Sequence, residues 1–415
     1  MLGWLRRRAD SGGPRESAVE AWAFDPADPA YVADPYPFLE WLREEEPVHR
    51  SPAGPWVLTR YDDVHAALED RRLGNAPARH AVVNARNRQR YVCADVASNI
   101  LPFLDAPAHG PPRRVIGRAF AEQLRSRPPD IERAARSILD RWSPGAAHDV
   151  VSDYASPLAV AVIAEVLGVP RGDSERLEAW SETFFYLFNA IPSHEVRERL
   201  DEALTGFRAY MKELVRERRM DPEDDLLSAL VHAREDDELT EGQLIDNCML
   251  LFADGLENVD RAIGNAVYAL LRHPAQLRAL RARPELSSRA VDECLRYDSP
   301  AQHIARIALE DVEIGDAVIP AGNPVLIHLG GANRDPRAFE APNALEIRRD
   351  PNPHLAFGRA RHSCLGGPLV ELQMRIALEC LLDRVDRMEL AVDEVAYVPR
   401  PGHRWVEAVP VRWME

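Results

Sequence analysis

The sequence predicts a mainly α-helical protein with a small β region, an α+β fold class, and three observations support this prediction. Amphipathic stretches with the 3.6-residue period of a helix dominate positions 130–282. After Pro300, "RIALEDVEIGDAVIPAGNPVLIHLG" alternates β-branched and other residues and is broken by turns, which is typical of a small antiparallel sheet. Since no linker, low-complexity block or repeat divides the 415 residues, we expect one domain over 1–415, with 1–17 as a flexible N-terminus.

The individual elements follow in chain order. "DPYPFLEWLREEEP" has helical periodicity and ends at a proline, and "PWVLTRYDDVHAALED" predicts a short strand, a turn and another helix. Turns between helices are predicted at "WSPGAAHD", "GVPRGD", "AIPSHE" and "RMDPEDD". The sheet region is followed by a long proline-rich loop, "ANRDPRAFEAPNALEIRRDPNPHLAFG". Loops of this length in a compact domain usually serve function.

Composition excludes several classes of protein. A formal net charge of −16 disfavours a general nucleic-acid binder, which needs a basic surface. The start, "MLGWLRRRADSGGPRES", has too few apolar residues for a secretion signal or a membrane anchor, so a cytoplasmic protein without a membrane anchor is expected. The five cysteines are an odd number without a CxxC pair, which argues against a disulfide framework or a structural zinc site.

One cysteine has unusual neighbours, in "FGRARHSCLGGPLVE" at positions 357–371. Gly358 and Gly366 would let the backbone approach a flat cofactor, and Pro368 suits the first turn of a helix. Cys364 would then lie just before a helix N-terminus, where the helix dipole and free N–H groups favour a thiolate. The alternative is a buried, inert cysteine.

This stretch resembles the cysteine loop of the cytochrome P450 family, roughly FGxGxHxCxGxxLA. The matching residues are Phe357, Gly358, His362, Cys364, Gly366 and Leu369, whereas Ala360 replaces the second glycine and Val370 the last alanine. The resemblance implies a P450 fold, in which a long central helix lies over haem b and Cys364 is the axial ligand of the haem iron. In this family the thiolate donates electron density to the iron.

Other segments resemble the same family. "DAPAHGPPRRVIGRAF" and "HIARIALEDVEIGDAVIPAG" are similar to family segments that contact the haem propionates, which implies this role for His109, Arg113 and Arg306, together with His362. Glu293 and Arg296 in "ECLR" match the buried Glu-Arg pair of the family. The second arginine that usually completes this pair aligns with Ala344, so we expect the usual three-residue set to be incomplete.

The central helix departs from the family pattern. Family members carry a small residue and then Gly-x-Glu/Asp-Thr, where the helix widens over the haem and the acid and the alcohol relay protons. Here the residues are Asp254, Gly255, Leu256, Glu257 and Asn258. An amide cannot replace a hydroxyl in such a relay, so we expect altered proton delivery, with Glu257, Asn258 and Asp254 as the catalytic candidates. Asp254 and Asn258 could instead cap or solvate the helix, and Asp254 could anchor the substrate.

The resemblance implies a haem-thiolate monooxygenase of bacterial type, which inserts one oxygen atom from O2 into a medium or large organic substrate of secondary metabolism. His303 and Asp254 would add polar groups to an apolar pocket, which favours a small-molecule substrate with hydroxyl, amine or phenol groups.

Electrons would come from NAD(P)H through a ferredoxin-type redox partner on the proximal face. Its predicted docking residues are Arg114, Arg118, Arg359 and Arg361, although these could also be solvated surface arginines. The alternatives are oxidative coupling or another oxidation without oxygen insertion, and a haem-binding sensor or docking protein without turnover.

Overall fold

The computed structural model describes residues 25–75, 83–188, 193–233, 239–385 and 387–414, so the N-terminus predicted to be flexible lies outside the described residues. Helices make up most of the described chain, as predicted. They are α1 Pro29–Ala33, α2 Tyr36–Glu45, α3 Tyr61–Glu69, α4 Val92–Ala97, α5 Gly110–Ser126, α6 Ile131–Leu139, α7 Ser156–Leu167, α8 Ser174–Phe184, α9 His194–Met220, α10 Leu226–Ala233, α11 Glu241–Arg272, α12 Pro274–Ala282, α13 Ser287–Tyr297, α14 Leu329–Ala332 and α15 Gly367–Arg384.

The strands are short and form three small sheets. They are β1 Val48–Arg50, β2 Trp56–Leu58, β3 Leu73–Gly74, β4 Ala147–Asp149, β5 Ile304–Ala308, β6 Val312–Ile314, β7 Ala317–Ile319, β8 Pro324–Ile327, β9 Arg387–Leu390 and β10 Pro410–Met414. The sheets have the orders β1-β2-β8-β5-β3, β4-β10-β9 and β6-β7.

The antiparallel sheet predicted after Pro300 is confirmed, because β5 pairs with β8 and β6 pairs with β7 in antiparallel fashion. The structure extends it with strands from the N-terminal part of the chain, and β2 runs parallel to β8. The segment "WSPGAAHD" is not only a turn between helices, since its last three residues form β4, which pairs with β10. The pairing could not be predicted, because a strand of three residues has no local pattern that indicates a partner far away in the sequence.

Helix α11 is the centre of the main hydrophobic core and packs against α7, α8, α9 and α15. It begins with a capping box, in which the Thr240 hydroxyl and the Gln243 side chain each accept a hydrogen bond from the other residue's backbone N–H. The helix is α-helical without interruption from Glu241 to Arg272. The local widening of the central helix that is expected above the haem therefore does not interrupt α11.

The long loop after α14 is held to α13 by a buried ionic cluster. Arg296 donates from Nε and Nη2 to the two carboxylate oxygens of Glu293, at 2.8 Å each. Arg349 donates from Nε to Glu293 Oε2 at 3.0 Å. The expectation that the second arginine is missing is therefore wrong. Ala344 contributes only its carbonyl, which accepts from Arg296 at 2.9 Å, and the path of the loop brings Arg349 to the position where an arginine is needed.

Candidate active site

The backbone of the cysteine loop turns sharply before α15. The Cys364 N–H donates to the Phe357 carbonyl at 2.8 Å, which closes the loop. Gly358 has φ +63° and Ala360 has φ +58°, both in the left-handed region. Ala360 occupies the position where the family pattern has glycine, so the loop keeps its shape with a residue that is strained there. This left-handed conformation explains in physical terms why a glycine is expected at that position.

Cys364 lies half-buried directly before the first turn of α15. Burial, together with the Asp254 carboxyl, raises the pKa of its thiol to about 12, although the backbone N–H groups of Gly366 and Gly367 act in the opposite direction. A thiolate at this position therefore needs a cation, and a coordinated metal ion would deprotonate the thiol. At Gly366 an added Cβ would contact nothing closer than Cys364 Sγ at 3.9 Å, so protein packing does not require this glycine.

Two histidines meet next to the cysteine loop. His109 is the residue directly before α5, and the centroid of its ring lies 4.2 Å from that of His362. The Nε2 atoms of both rings are buried and have no hydrogen-bond partner among the residues that the structure describes. Burial lowers the pKa of His109, and it lowers that of His362 to about 2, an effect to which the neighbouring His109 and Arg306 add. Burial therefore favours the neutral form of both rings, and each ring has a buried polar atom that calls for a ligand.

Two predicted arginines lie beside these histidines. Arg113 donates to the Ser363 carbonyl at 2.7 Å, and Arg306 lies in the middle of β5 and is almost fully buried. Their charges help to keep the pKa of His362 low, which shows that the groups are neighbours. The structure therefore brings together all four residues predicted to contact propionates, from α5, β5 and the cysteine loop. A cluster with this much cationic charge suits a dianionic group.

Asp254 and Asn258 lie one turn apart on α11. Asn258 Nδ2 donates to Asp254 Oδ1 at 3.1 Å, and Asn258 Oδ1 is buried without a partner among the described residues. The Asp254 side chain has accessible surface although it lies deep in the protein, so it faces an internal space. Burial raises its pKa, and its charge in turn acts on the Cys364 thiol. Asp254 thus faces Cys364 across the interior.

Glu257 has a different partner. Arg400 Nη1 lies 3.5 Å from Glu257 Oε2, and both side chains are largely buried. Burial raises the pKa of Glu257 to about 7, the Asp260 carboxylate adds to this effect, and Arg400 opposes it. Arg400 lies in the C-terminal segment "VPRPGHRW", and sequence reasoning missed it because a single arginine in a turn is no signal.

Aromatic rings surround the Arg400 guanidinium. Its Cζ atom lies 4.6 Å from the ring centroid of Trp405, 5.3 Å from that of Phe185 and 6.0 Å from that of Tyr186. Phe185 and Tyr186 belong to the segment directly after α8. Cation–π contacts of this kind stabilise a charge that burial would otherwise disfavour. Phe185 is buried, as is the neighbouring Phe184, whereas Tyr186 is exposed.

The four arginines predicted for partner docking differ in their surroundings. Arg114 and Arg118 are exposed, one turn apart on α5. Arg359 pairs with Glu69 at 2.6 Å. Arg361 donates to the carbonyls of Asp70 and Leu73 at 3.2 and 3.3 Å, so it ties the cysteine loop to β3. Of the four, Arg114 and Arg118 are the better candidates for contact with another protein.

Sequence comparison detects one family. The profile described as "Cytochrome P450" matches residues 283–389. The chain is 35% identical over 391 residues to a biotin biosynthesis cytochrome P450 of Bacillus subtilis, which covers 93% of this chain and 98% of the relative. It is 37% identical over 383 residues to the mycinamicin IV hydroxylase/epoxidase of Micromonospora griseorubida, which covers 89% of this chain and 91% of the relative.

Solved structures agree with the sequence comparison. The chain superposes on the crystal structure of CalO2 with a TM-score of 0.89 at 33% identity, over 94% of this chain and 99% of that one. A structure of P450BioI in complex with an acyl carrier protein that carries hexadec-9Z-enoic acid gives a TM-score of 0.84 at 33% identity, over 93% and 99% of the two chains. Within the described part of the chain, no helix is long and apolar enough to cross a membrane.

Proposed function

The chain belongs to the cytochrome P450 family and is a haem-dependent monooxygenase, and we propose that it inserts one oxygen atom from O2 into a medium or large organic molecule of bacterial secondary metabolism. The observation that carries this proposal is the position of Cys364, before the N-terminus of α15 and facing Asp254 of the central helix across the interior. The names of the relatives are those of enzymes, so they give no support to a sensor without turnover.

The residues present fit haem b. Cys364 would ligate the iron, and Phe357, Gly358 and Gly366 would shape the loop around it. The two propionates would be held by His109, Arg113, Arg306 and His362. The buried Nε2 atoms of the two histidines and the nearby guanidinium groups support this assignment. When bound, a thiolate-ligated haem supplies the redox chemistry that activates O2.

Glu257 is the residue that we assign to proton delivery. A carboxyl with a pKa of about 7 is protonated in part of the population near neutral pH, which suits an acid that both takes up and gives away protons. Arg400 holds this carboxyl in place and keeps its pKa from rising further. Asn258 has no hydroxyl to pass the proton on, so an ordered water or a group of the substrate would complete the route.

Electrons would reach the site from NAD(P)H through an acidic ferredoxin. The support for this partner is the exposed pair of Arg114 and Arg118 on α5, the helix that also carries Arg113. Complementary charge of this kind mainly raises the rate of encounter between two proteins.

A second function remains a candidate because Asn258 stands in place of the alcohol. Oxidative coupling removes two electrons and two protons from the substrate while O2 is reduced to water, and it adds no oxygen atom to the product. Mass spectrometry of the product formed under isotopically labelled O2 distinguishes the two functions. Monooxygenation predicts one labelled oxygen atom in the product, whereas coupling predicts none.

The experiment that tests the haem assignment is spectroscopic. The purified protein is reduced under CO, and the thiolate-type absorption band is expected. NADPH consumption is then followed with a ferredoxin and its reductase in the presence of candidate substrates. A haem-loaded protein that lacks the thiolate-type band would contradict the assignment of Cys364.

A further inference from the structure

A pair of hydrogen-bond acceptors on α11 faces the interior. The Asp254 carboxylate accepts one hydrogen bond, from Asn258 Nδ2 at 3.1 Å. This contact also sets the orientation of the Asn258 amide, because only the nitrogen can donate to an ionised carboxylate. The amide oxygen Oδ1 is consequently left as a second acceptor, which is buried and has no partner within the described ranges.

Among the described residues, no cation forms an ion pair with Asp254. Arg400, the arginine of the C-terminal segment, pairs with Glu257 instead. Burial raises the pKa of Asp254, and within the described ranges only the neutral amide of Asn258 lowers it. A carboxylate deep in a protein is costly unless a positive group compensates its charge. No positive group from the part of the chain that the structure describes is paired with it.

Resting on the proposed function, we propose that Asp254 and Asn258 bind a protonated nitrogen group of the substrate, such as an ammonium or an amidinium. A group of this class supplies the missing positive charge and has at least two N–H donors. One donor would bind the Asp254 carboxylate and the other Asn258 Oδ1. Because Asp254 faces Cys364, the contact would fix which part of the substrate lies close to the reactive centre and would determine substrate specificity.

The test uses three probes that share one scaffold and differ in the charge of the head group: para-butylbenzamidine, which is cationic, para-butylbenzamide, which is neutral, and para-butylbenzoate, which is anionic. Their dissociation constants are measured by calorimetry on the haem-loaded protein. Since hydrogen bonds to charged groups are the stronger ones, we expect the amidinium to bind about tenfold tighter than the amide. The benzoate is expected to bind more weakly than the amide.

Two variants assign this preference to a residue. Asp254→Asn keeps the shape of the side chain but removes the charge, so the amidinium and the amide are expected to bind equally. Glu257→Gln removes a negative charge three residues further along the same helix, and it should keep the preference because Glu257 faces Arg400. Equal affinity of the amidinium and the amide in the parent, no binding of the amidinium to the parent, or a preference that persists in Asp254→Asn would each overturn the proposal.

The same preparations separate this inference from the proposed function. If the amidinium preference is absent while the thiolate-type CO band is present, only the Asp254 site is wrong. If the band is absent while the preference is found, the assignment of the haem ligand is wrong and the Asp254 site stands.

Discussion

Arg400 in the C-terminal segment and Glu257 in the middle of α11 form an ion pair in the interior, with 3.5 Å between Nη1 and Oε2. The two residues are far apart in sequence, and the guanidinium is surrounded by aromatic rings of the segment after α8 and of the C-terminal segment itself. The acid that we assign to proton delivery therefore depends on a residue of the C-terminal segment.

The first prediction concerns the pH dependence of coupling, measured as product formed per NADPH consumed. Arg400 lowers the pKa of Glu257, which burial raises to about 7, so Arg400→Gln should raise this pKa further. The protonated carboxyl would then persist to higher pH, and the fall in coupling with rising pH should move to higher pH. Arg400→Lys, which keeps the charge, should show a smaller shift. Equal midpoints in the parent and Arg400→Gln would separate Glu257 from proton delivery.

A second prediction concerns the ionic cluster below the long loop. Arg349→Ala removes a buried donor from Glu293, so it should lower the free energy of unfolding by about 1–3 kcal/mol. The matched control is Arg348→Ala, because Arg348 is exposed and lies 3.7 Å from exposed Glu346. This control should change stability by less than about 0.5 kcal/mol. Urea unfolding of the two variants beside the parent measures the difference, and equal losses would contradict a structural role of Arg349.

The strained position in the cysteine loop provides a third prediction. Ala360 has φ +58°, so Ala360→Gly should relieve the backbone strain. The free energy of unfolding should rise by about 0.5–1 kcal/mol, a net value that includes the opposing effect of the greater freedom of glycine in the unfolded chain. Ala356→Gly, directly before this loop and without a left-handed backbone, should lower stability instead. Thermal unfolding of both variants checks the signs. A loss of stability in Ala360→Gly would show that the alanine side chain is needed there.

The fourth prediction tests the axial ligand. Cys364→Ser should lose the thiolate-type CO spectrum and most activity, because a neutral hydroxyl is a poor donor to haem iron. Alanine at Cys248 or Cys294, both buried, should keep this spectrum while the free energy of unfolding falls by about 1–3 kcal/mol. A Cys364→Ser protein with an unchanged spectrum would show that another residue ligates the iron.

The fifth prediction concerns electron supply. Reversal of charge in the double variant Arg114→Glu and Arg118→Glu should slow reduction by an acidic ferredoxin at low salt, with a smaller effect at high salt because ions screen exposed charges. Substrate affinity should stay unchanged. Arg216→Glu, at an exposed position on α9, is the control and should leave the rate of reduction as in the parent. Equal rates in all three proteins would rule out docking at this part of α5.

Features that depend on residues close together in the chain could be predicted before the fold was known. The mainly helical class, the sheet after Pro300 and the cysteine loop could be predicted because helical period, strand alternation and loop motif are properties of contiguous segments. Even the strain at Ala360 has a local signal, since an alanine stands where the family pattern has glycine. The identity of the residues near Cys364 followed from the resemblance of short segments.

Contacts between distant segments could not be predicted in this way, because they depend on the folded structure. It brought Arg349 rather than residue 344 to Glu293, paired Arg400 with Glu257, and placed β2 parallel to β8. It also separated Glu257 from Asp254 and Asn258, although the three lie within five residues of one helix. The physical reason is that an ion pair or a strand pair depends on where the chain leads each partner, and burial then sets the pKa of the groups that meet.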